Sequence, residues 1–220
     1  MLTLGLTIIP SIAILLYVIF SDKFREPLIS ILTTFFLGFL IILPAGFLNS
    51  FLIFQNQEQD LSFLAGLTEE SLKLFCLYFF IREKKHFNEP MDGIVYGVLI
   101  SLGFATYENI QYVYFLSAEY GATPFEVAVL RAFSAIPMHA ICGIIMGYFF
   151  GEYVFKGNSS NLFKSWIIPM IFHGLYNFLV TFTLLYLIIL FIAGAYAYRL
   201  LKDVAKKQKL KNIEDEKKAI

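Results

Sequence analysis

The sequence predicts an all-α fold, a polytopic transmembrane helix bundle of about seven spans, and three observations carry that expectation. Of 220 residues, 58% are hydrophobic and only 15% charged, against roughly 25% charged in soluble domains. The chain holds 25 Phe and 13 Tyr, more large aromatic surface than one small globule can hide. Apolar runs long enough to cross a ~30 Å hydrocarbon core recur along it. Its solvent is therefore the lipid bilayer, which excludes a soluble enzyme, a nucleic-acid binder and a disordered scaffold. Cys76 and Cys142 both fall inside apolar runs, which argues against a disulfide framework or a Cys-based zinc knuckle.

Charges and turn residues divide the apolar runs into spans 2–20, 28–54, 61–81, 92–117, 126–150, 163–181 and 183–201. The first has no basic n-region and no small-x-small cleavage site, so it reads as a retained helix rather than a signal peptide. The last two are separated because one helix from Trp166 to Tyr198 would measure about 50 Å, too long for the core. A hairpin near Thr181-Phe182-Thr183 is the simplest break. Basic residues mark alternate connections: Lys23 and Arg25, then Arg82, Lys84 and Lys85, then Lys156 with Lys164 just beyond, then the tail from Arg199. The other connections, 55–60 and 118–125, carry Glu58, Asp60 and Glu119 instead. By the positive-inside rule the N-terminus lies outside and the C-terminus in the cytoplasm. The expected organisation is a membrane domain over 1–201 and a charged cytoplasmic tail over 202–220, a helical extension that frays.

Polar side chains inside the spans are the informative ones, because a charge at the bilayer centre costs roughly 2.5–3.5 kcal/mol and normally faces a cavity or a partner. The third span holds Glu69, Glu70 and Lys73, and the fourth Glu108 and Asn109. The fifth holds Arg131 and His139, and the sixth His173 and Asn177. At 1.5 Å per residue, Glu70, His139 and His173 fall within roughly 2 Å of their span midpoints, with Glu108 about 5 Å and Asn177 about 7–8 Å toward the outer side. Lys73 is spaced to reach either glutamate, and a packing clamp is its expected role. Arg131 is expected to snorkel or to pair with Glu126 or Glu119. Small residues recur every four positions beside these groups, Gly93-Gly97-Ser101-Ala105 in one span and Ala135-His139-Gly143-Gly147 in another, so the polar stripes should face helix contacts. Pro137 and Pro169 either kink their helices near the midplane or are simply tolerated there, as membrane helices tolerate proline.

Two adjacent carboxylates with one lysine divide into a paired anion and a carboxylate able to act as general base on water. His139 or His173 could hold that water or protonate a leaving amine, and Asn177 could donate to a developing oxyanion. The set suits amide hydrolysis within the membrane. A metal version, with Zn held among Glu70, Glu108, His139 and His173, has the ligand count of a catalytic zinc site. No helix carries H-E-x-x-H, so composition favours the metal-free version without deciding the matter.

Several segments, in order and at matching depth over residues 1 to about 200, resemble those of the PrsW family of bacterial intramembrane proteases. They are Glu26-Pro27, Glu69-Glu70-Ser71-Leu72-Lys73, Asp92-Gly93-Ile94-Val95-Tyr96-Gly97, Gly103-Phe104 through Glu108-Asn109, Arg131-Ala132 with Pro137-Met138-His139-Ala140, and His173-Gly174-Leu175-Tyr176-Asn177. That family is similar to the wider group of CAAX prenyl-endopeptidases and abortive-infection proteases, whose motifs are E-E-x-x-x-R, F-x-x-x-H and H-x-x-x-N or H-x-x-x-D. Here Lys73 stands one position early in place of Arg, and Glu108 stands where His is expected. The resemblance implies that Glu69 or Glu70 activates water and that His173 with Asn177 stabilises the oxyanion. Glu108 is left as a shuttle, ligand or structural partner, and His139 as a replacement for the missing His. It also implies a single-span, membrane-anchored substrate such as an anti-sigma factor, cut first by this enzyme. Two other classes compete, a proton-coupled transporter and a non-catalytic immunity-type membrane protein.

Overall fold

The computed structural model describes residues 1–53, 59–182 and 184–218. Among them every regular element is helical and no strand occurs. Lipid favours this, since a helix satisfies its own backbone donors and acceptors. In chain order the helices are α1 (Leu2–Ser21), α2 (Leu28–Leu40), α3 (Ile42–Leu52), α4 (Leu64–Cys76), α5 (Pro90–Gln111), α6 (Pro124–Phe133), α7 (Ala135–Lys156), α8 (Ser159–Phe182) and α9 (Tyr186–Lys218). Among the described residues, four helical stretches are long and apolar enough to cross a membrane: Leu2–Ser21, Leu28–Leu52, Pro90–Tyr120 and Pro124–Lys156. Glu58 of the acidic connection and Thr183 of the expected hairpin lie outside the described residues.

Local sequence explains where the helices start and stop. Pro90 and Pro124 open α5 and α6, each behind a capping box, Glu89 with Asp92 and Thr123 with Glu126. Pro at the first helical position loses nothing, because its missing N–H would have no partner there. α7 ends at Gly157, whose φ of +70° suits a residue without Cβ. Two spans expected to be single rods are interrupted, one at Ile41 between α2 and α3, the other at Ser134 between α6 and α7. In both cases a proline, Pro44 or Pro137, follows three residues later. Its missing N–H frees the carbonyl of Leu40 or Phe133, and the helix restarts. α8, by contrast, runs through Pro169 unbroken.

α5 is the central rod, with residues 91 to 106 all buried. The outward faces of its neighbours carry exposed aromatics, among them Phe36, Phe47, Phe115 and Phe191, as acyl chains require. Small residues set the interhelical spacing. A Cβ on Gly147 of α7 would lie 2.0 Å from the carbonyl oxygen of Gly93 on α5, and one on Gly97 would lie 2.5 Å from that of Gly143. The two small-residue stripes therefore face each other, backbone to backbone. Gly66 of α4 meets the Gly174 backbone nitrogen of α8 in the same way, at 2.6 Å from a Cβ. α9 continues across the 201/202 boundary without a break, with Leu201, Val204 and Gln208 buried.

Candidate active site

Two close helix approaches and one bridging side chain deliver the polar residues to one place. The α4–α8 contact at Gly66 and Gly174 sets Glu69 and Glu70 beside His173. The α5–α7 glycine contact sets Glu108 beside His139, and Lys73 joins the two halves. Glu69, Glu70, Lys73, His139 and His173 are all buried. The Lys73 ammonium donates to Glu70 Oε1 at 2.6 Å and to His139 Nδ1 at 3.0 Å, and lies 4.5 Å from the centre of the Phe104 ring. Its distance to Glu69 Oε2 is 3.9 Å. Lys73 thus serves both glutamates unequally and reaches an imidazole as well, a wider role than a clamp within one helix.

Hydrogen-bond chemistry assigns the imidazole nitrogens. An ammonium has only donors, so His139 Nδ1 accepts and its Nε2–H donates to Glu108 Oε2, 3.0 Å away. Similarly, His173 Nδ1–H donates to Glu70 Oε1 at 2.8 Å, which leaves the Nε2 lone pair of His173 facing Glu69 Oε2 at 3.8 Å. Each imidazole is therefore held by a carboxylate through one nitrogen; the other nitrogen of His173 faces Glu69, while that of His139 is occupied by the Lys73 ammonium. The rings meet edge to face with centroids 4.8 Å apart.

Glu108 is fixed in turn from α6. Arg131 donates to Glu108 Oε2 at 2.5 Å and to Asn109 Oδ1 at 2.8 Å, with its guanidinium 4.0 Å from the Tyr112 ring centre. Asn109 Nδ2 donates to the Thr7 carbonyl oxygen of α1 at 2.8 Å. Arg131 therefore neither snorkels nor pairs with Glu126 or Glu119. The restart of the helix at Ser134 lets α6 depart from the line of α7, and the guanidinium finds a partly buried anion, a stronger partner than an exposed one.

Asn49 and Thr68 belong to the site although neither was singled out from the sequence. Asn49 Nδ2 donates to Glu69 Oε1 at 3.2 Å, and the Thr68 hydroxyl donates to Asn49 Oδ1. The signal in the sequence is a polar amide, Asn49, inside the apolar run 28–54. Asn177 lies one turn beyond His173, half-buried, and its backbone carbonyl accepts from Ser62 at 3.2 Å.

Glu69, His139 and His173 offer one ligand atom each, all within 4.8 Å of one another. Glu69 Oε2 is buried with no hydrogen-bond partner, an oxygen waiting for a cation. Two imidazoles and a carboxylate, with both imidazoles backed by carboxylates, are the donor set and outer shell of a catalytic zinc site. The residues present thus fit a metal. Of the four ligands named from the sequence, His139 and His173 stand in this group. Glu70 and Glu108 stand behind the two imidazoles, and Glu69 takes the carboxylate position.

A family model described as PrsW family intramembrane metalloprotease matches residues 26–199. Protease PrsW of Clostridioides difficile (strain 630) is 36% identical over 199 residues, covering 85% of this chain and 82% of that protein. Protease PrsW of Bacillus subtilis (strain 168) is 37% identical over 182 residues, covering 79% of this chain and 80% of that one. No solved structure matches the chain. With helices apolar and long enough to span a bilayer and bacterial proteases as its relatives, this chain belongs to the PrsW family of intramembrane metalloproteases and is a peptidase of the bacterial cell membrane.

Proposed function

We propose that this peptidase hydrolyses a peptide bond of a single-span, membrane-anchored regulatory protein, an anti-sigma factor by the family resemblance, using water activated by a glutamate. The observation that carries the reading is the convergence of Glu69, His139 and His173 from α4, α7 and α8, buried and within 4.8 Å. In this reading those three residues hold the metal. When bound, it polarises the scissile carbonyl and lowers the pKa of a water. Glu70 is the general base. Lys73 and His173 Nδ1 fix its Oε1, while its Oε2 is buried without a hydrogen-bond partner and free to accept the proton. Glu108 and Arg131 hold His139 in its donor set, and Asn177 at the outer end of the site donates to the oxyanion. Seven spans with an outside N-terminus and a cytoplasmic C-terminus follow from the alternation of basic connections, with 1–201 as the protease domain and 202–220 as its tail. The transporter and immunity-type readings are not favoured, since the relatives are named as proteases.

The test is co-expression with a candidate single-span anti-sigma factor, together with metal analysis of the purified protein. Glu70→Gln should keep its metal and lose cleavage, whereas Glu69→Gln should lose both, and a chelator should silence the wild type. Cleavage that persists in both variants would sink the proposal.

A further inference from the structure

Two of the segments that carry the resemblance, Glu26-Pro27 and Asp92 through Gly97, do not reach the protease centre. Asp92 stands about 24 Å along α5 from Glu108. There it meets the end of α1 and the C-terminal part of α9. We propose that Asp22, Glu89 and Asp92 form a second cation site, for a hard divalent ion such as Mg2+ or Ca2+, which clamps α1, α5 and α9 together.

The ligand atoms of Asp22, Glu89 and Asp92 lie within 4.8 Å of one another. Asp22 is 4% and Asp92 1% exposed. Asp22 Oδ1 accepts from the Phe24 N–H at 2.9 Å and from Gln208 Nε2 at 2.7 Å, but its Oδ2 is buried with no hydrogen-bond partner. Asp92 Oδ2 accepts from the Asn88 and Glu89 N–H groups at 2.7 and 2.8 Å. Glu26 lies against Asp92 and accepts from the Tyr96 hydroxyl at 2.5 Å. Among the described residues, no salt bridge to Lys or Arg reaches Asp22, Glu26 or Asp92. Nearby cations act on these carboxylates only at a distance, Arg25 on Asp22 and Lys84 and His86 on Glu26; the Arg25 guanidinium lies over the Phe20 ring, and Lys84 donates to Thr34 Oγ1 at 3.4 Å.

Buried carboxylates at this density need a counter-charge or a proton; Glu26 and Asp92 share a hydrogen bond and hence one proton, which leaves Asp22 with its unpartnered Oδ2 as the group a cation would serve. Burial pushes the Asp22 and Glu26 carboxyls up from their ordinary values, which shows how little the neutral donors compensate. Oxygen donors alone, without imidazole or thiolate, select hard cations rather than zinc. Gln208 couples the site to the tail. Its Nε2 also donates to Glu89 Oε1 at 2.7 Å, and its Oε1 accepts the Lys23 N–H at 3.1 Å. An ion bound here would draw Asp22 and Asp92 together and hold α9 down at Gln208, so the exposed lysines on either side, Lys206, Lys207 and Lys209, report tail release.

The experiment uses the full chain in detergent, stripped with a chelator and titrated separately with Mg2+ and Ca2+, with tryptic cleavage at the tail lysines as the readout. At a free cation concentration tenfold above Kd, cleavage should slow about tenfold. Asp22→Asn keeps the Oδ1 acceptor and replaces only the unpartnered oxygen, and it should abolish both saturable binding and protection. Gln208→Ala leaves the carboxylates in place, so it should bind the ion by calorimetry yet lose protection. Glu69→Gln, which alters only the protease centre, should retain both. Absence of saturable Mg2+ or Ca2+ binding in the wild type, or unchanged binding in Asp22→Asn, overturns the site. Failure at either place leaves the other intact, because the two sites share no ligand residue.

Discussion

Replacing Gly147 with alanine should damage the protease without touching a polar residue. A Cβ at this position would lie 2.0 Å from the Gly93 carbonyl oxygen, whereas ordinary contact begins near 3.4 Å, so α5 and α7 must part by about 1.4 Å. The obstacle is backbone, which has no rotamer to yield. Overpacking of this kind costs about 1–3 kcal/mol, or roughly 2–12 °C in midpoint for a chain of this size. His139 lies two turns away on the same face of α7, about 12 Å along the axis, and its Nε2 is 3.0 Å from Glu108 on α5. If half the displacement reaches that pair, the hydrogen bond opens, and a shift approaching 1 Å at a reacting centre costs on the order of tenfold to a hundredfold in rate. Thermal unfolding in detergent and substrate cleavage in co-expressing cells read the two effects. Gly46→Ala is the control, since nothing lies within 4 Å of its Cβ position, and an exposed helical Gly-to-Ala change should be neutral or stabilising by up to ~1 kcal/mol. If Gly147→Ala matches Gly46→Ala in both assays, the glycine contact does not set the site and the argument fails.

Further substitutions probe the buried polar network. Asn49→Ala removes the donor to Glu69 Oε1 and should weaken the metal-holding carboxylate, lowering cleavage about tenfold at unchanged expression; unaltered zinc retention and activity would remove Asn49 from the site. Arg131→Met leaves the partly buried Glu108 without its cation and should destabilise the fold by about 1–3 kcal/mol. Adding Glu108→Gln should restore part of that loss, and additive single and double changes in unfolding would deny the pairing. Lys73→Met removes the resident cation between Glu70 and His139, so the metal-stripped variant should melt well below the stripped wild type. Added zinc should raise its midpoint more than it raises that of the wild type; an equal rise in the two would show that Lys73 does not fill the place of a counter-charge.

The membrane setting and the cast of the candidate centre were legible in composition and spacing. Any ionisable residue in an apolar run must find a partner, so Glu69, Glu70, Lys73, Glu108, His139 and His173 could be named from one strand of text. The breaks at Ile41 and Ser134 were less legible. Pro137 announced a kink, but whether a helix bends through a proline, as α8 does at Pro169, or restarts depends on what lies beside the freed carbonyl. The partner of Arg131 is not legible either, because Glu119 and Glu126 lie closer in sequence while Glu108, from a different helix, lies closer in space.

Sequence alone determined that these groups sit within apolar runs and set the expectation of a common depth, because hydrophobicity and a rise of 1.5 Å per residue are properties of the chain taken by itself. Only the tertiary structure decided that Glu69 rather than Glu70 joins the two imidazoles, and that Glu70 and Glu108 stand behind them. Adjacent residues on a helix differ by 100° in direction, and which of those directions meets His173 is settled by the glycine contacts that fix how closely, and at what rotation, α4, α5, α7 and α8 pack.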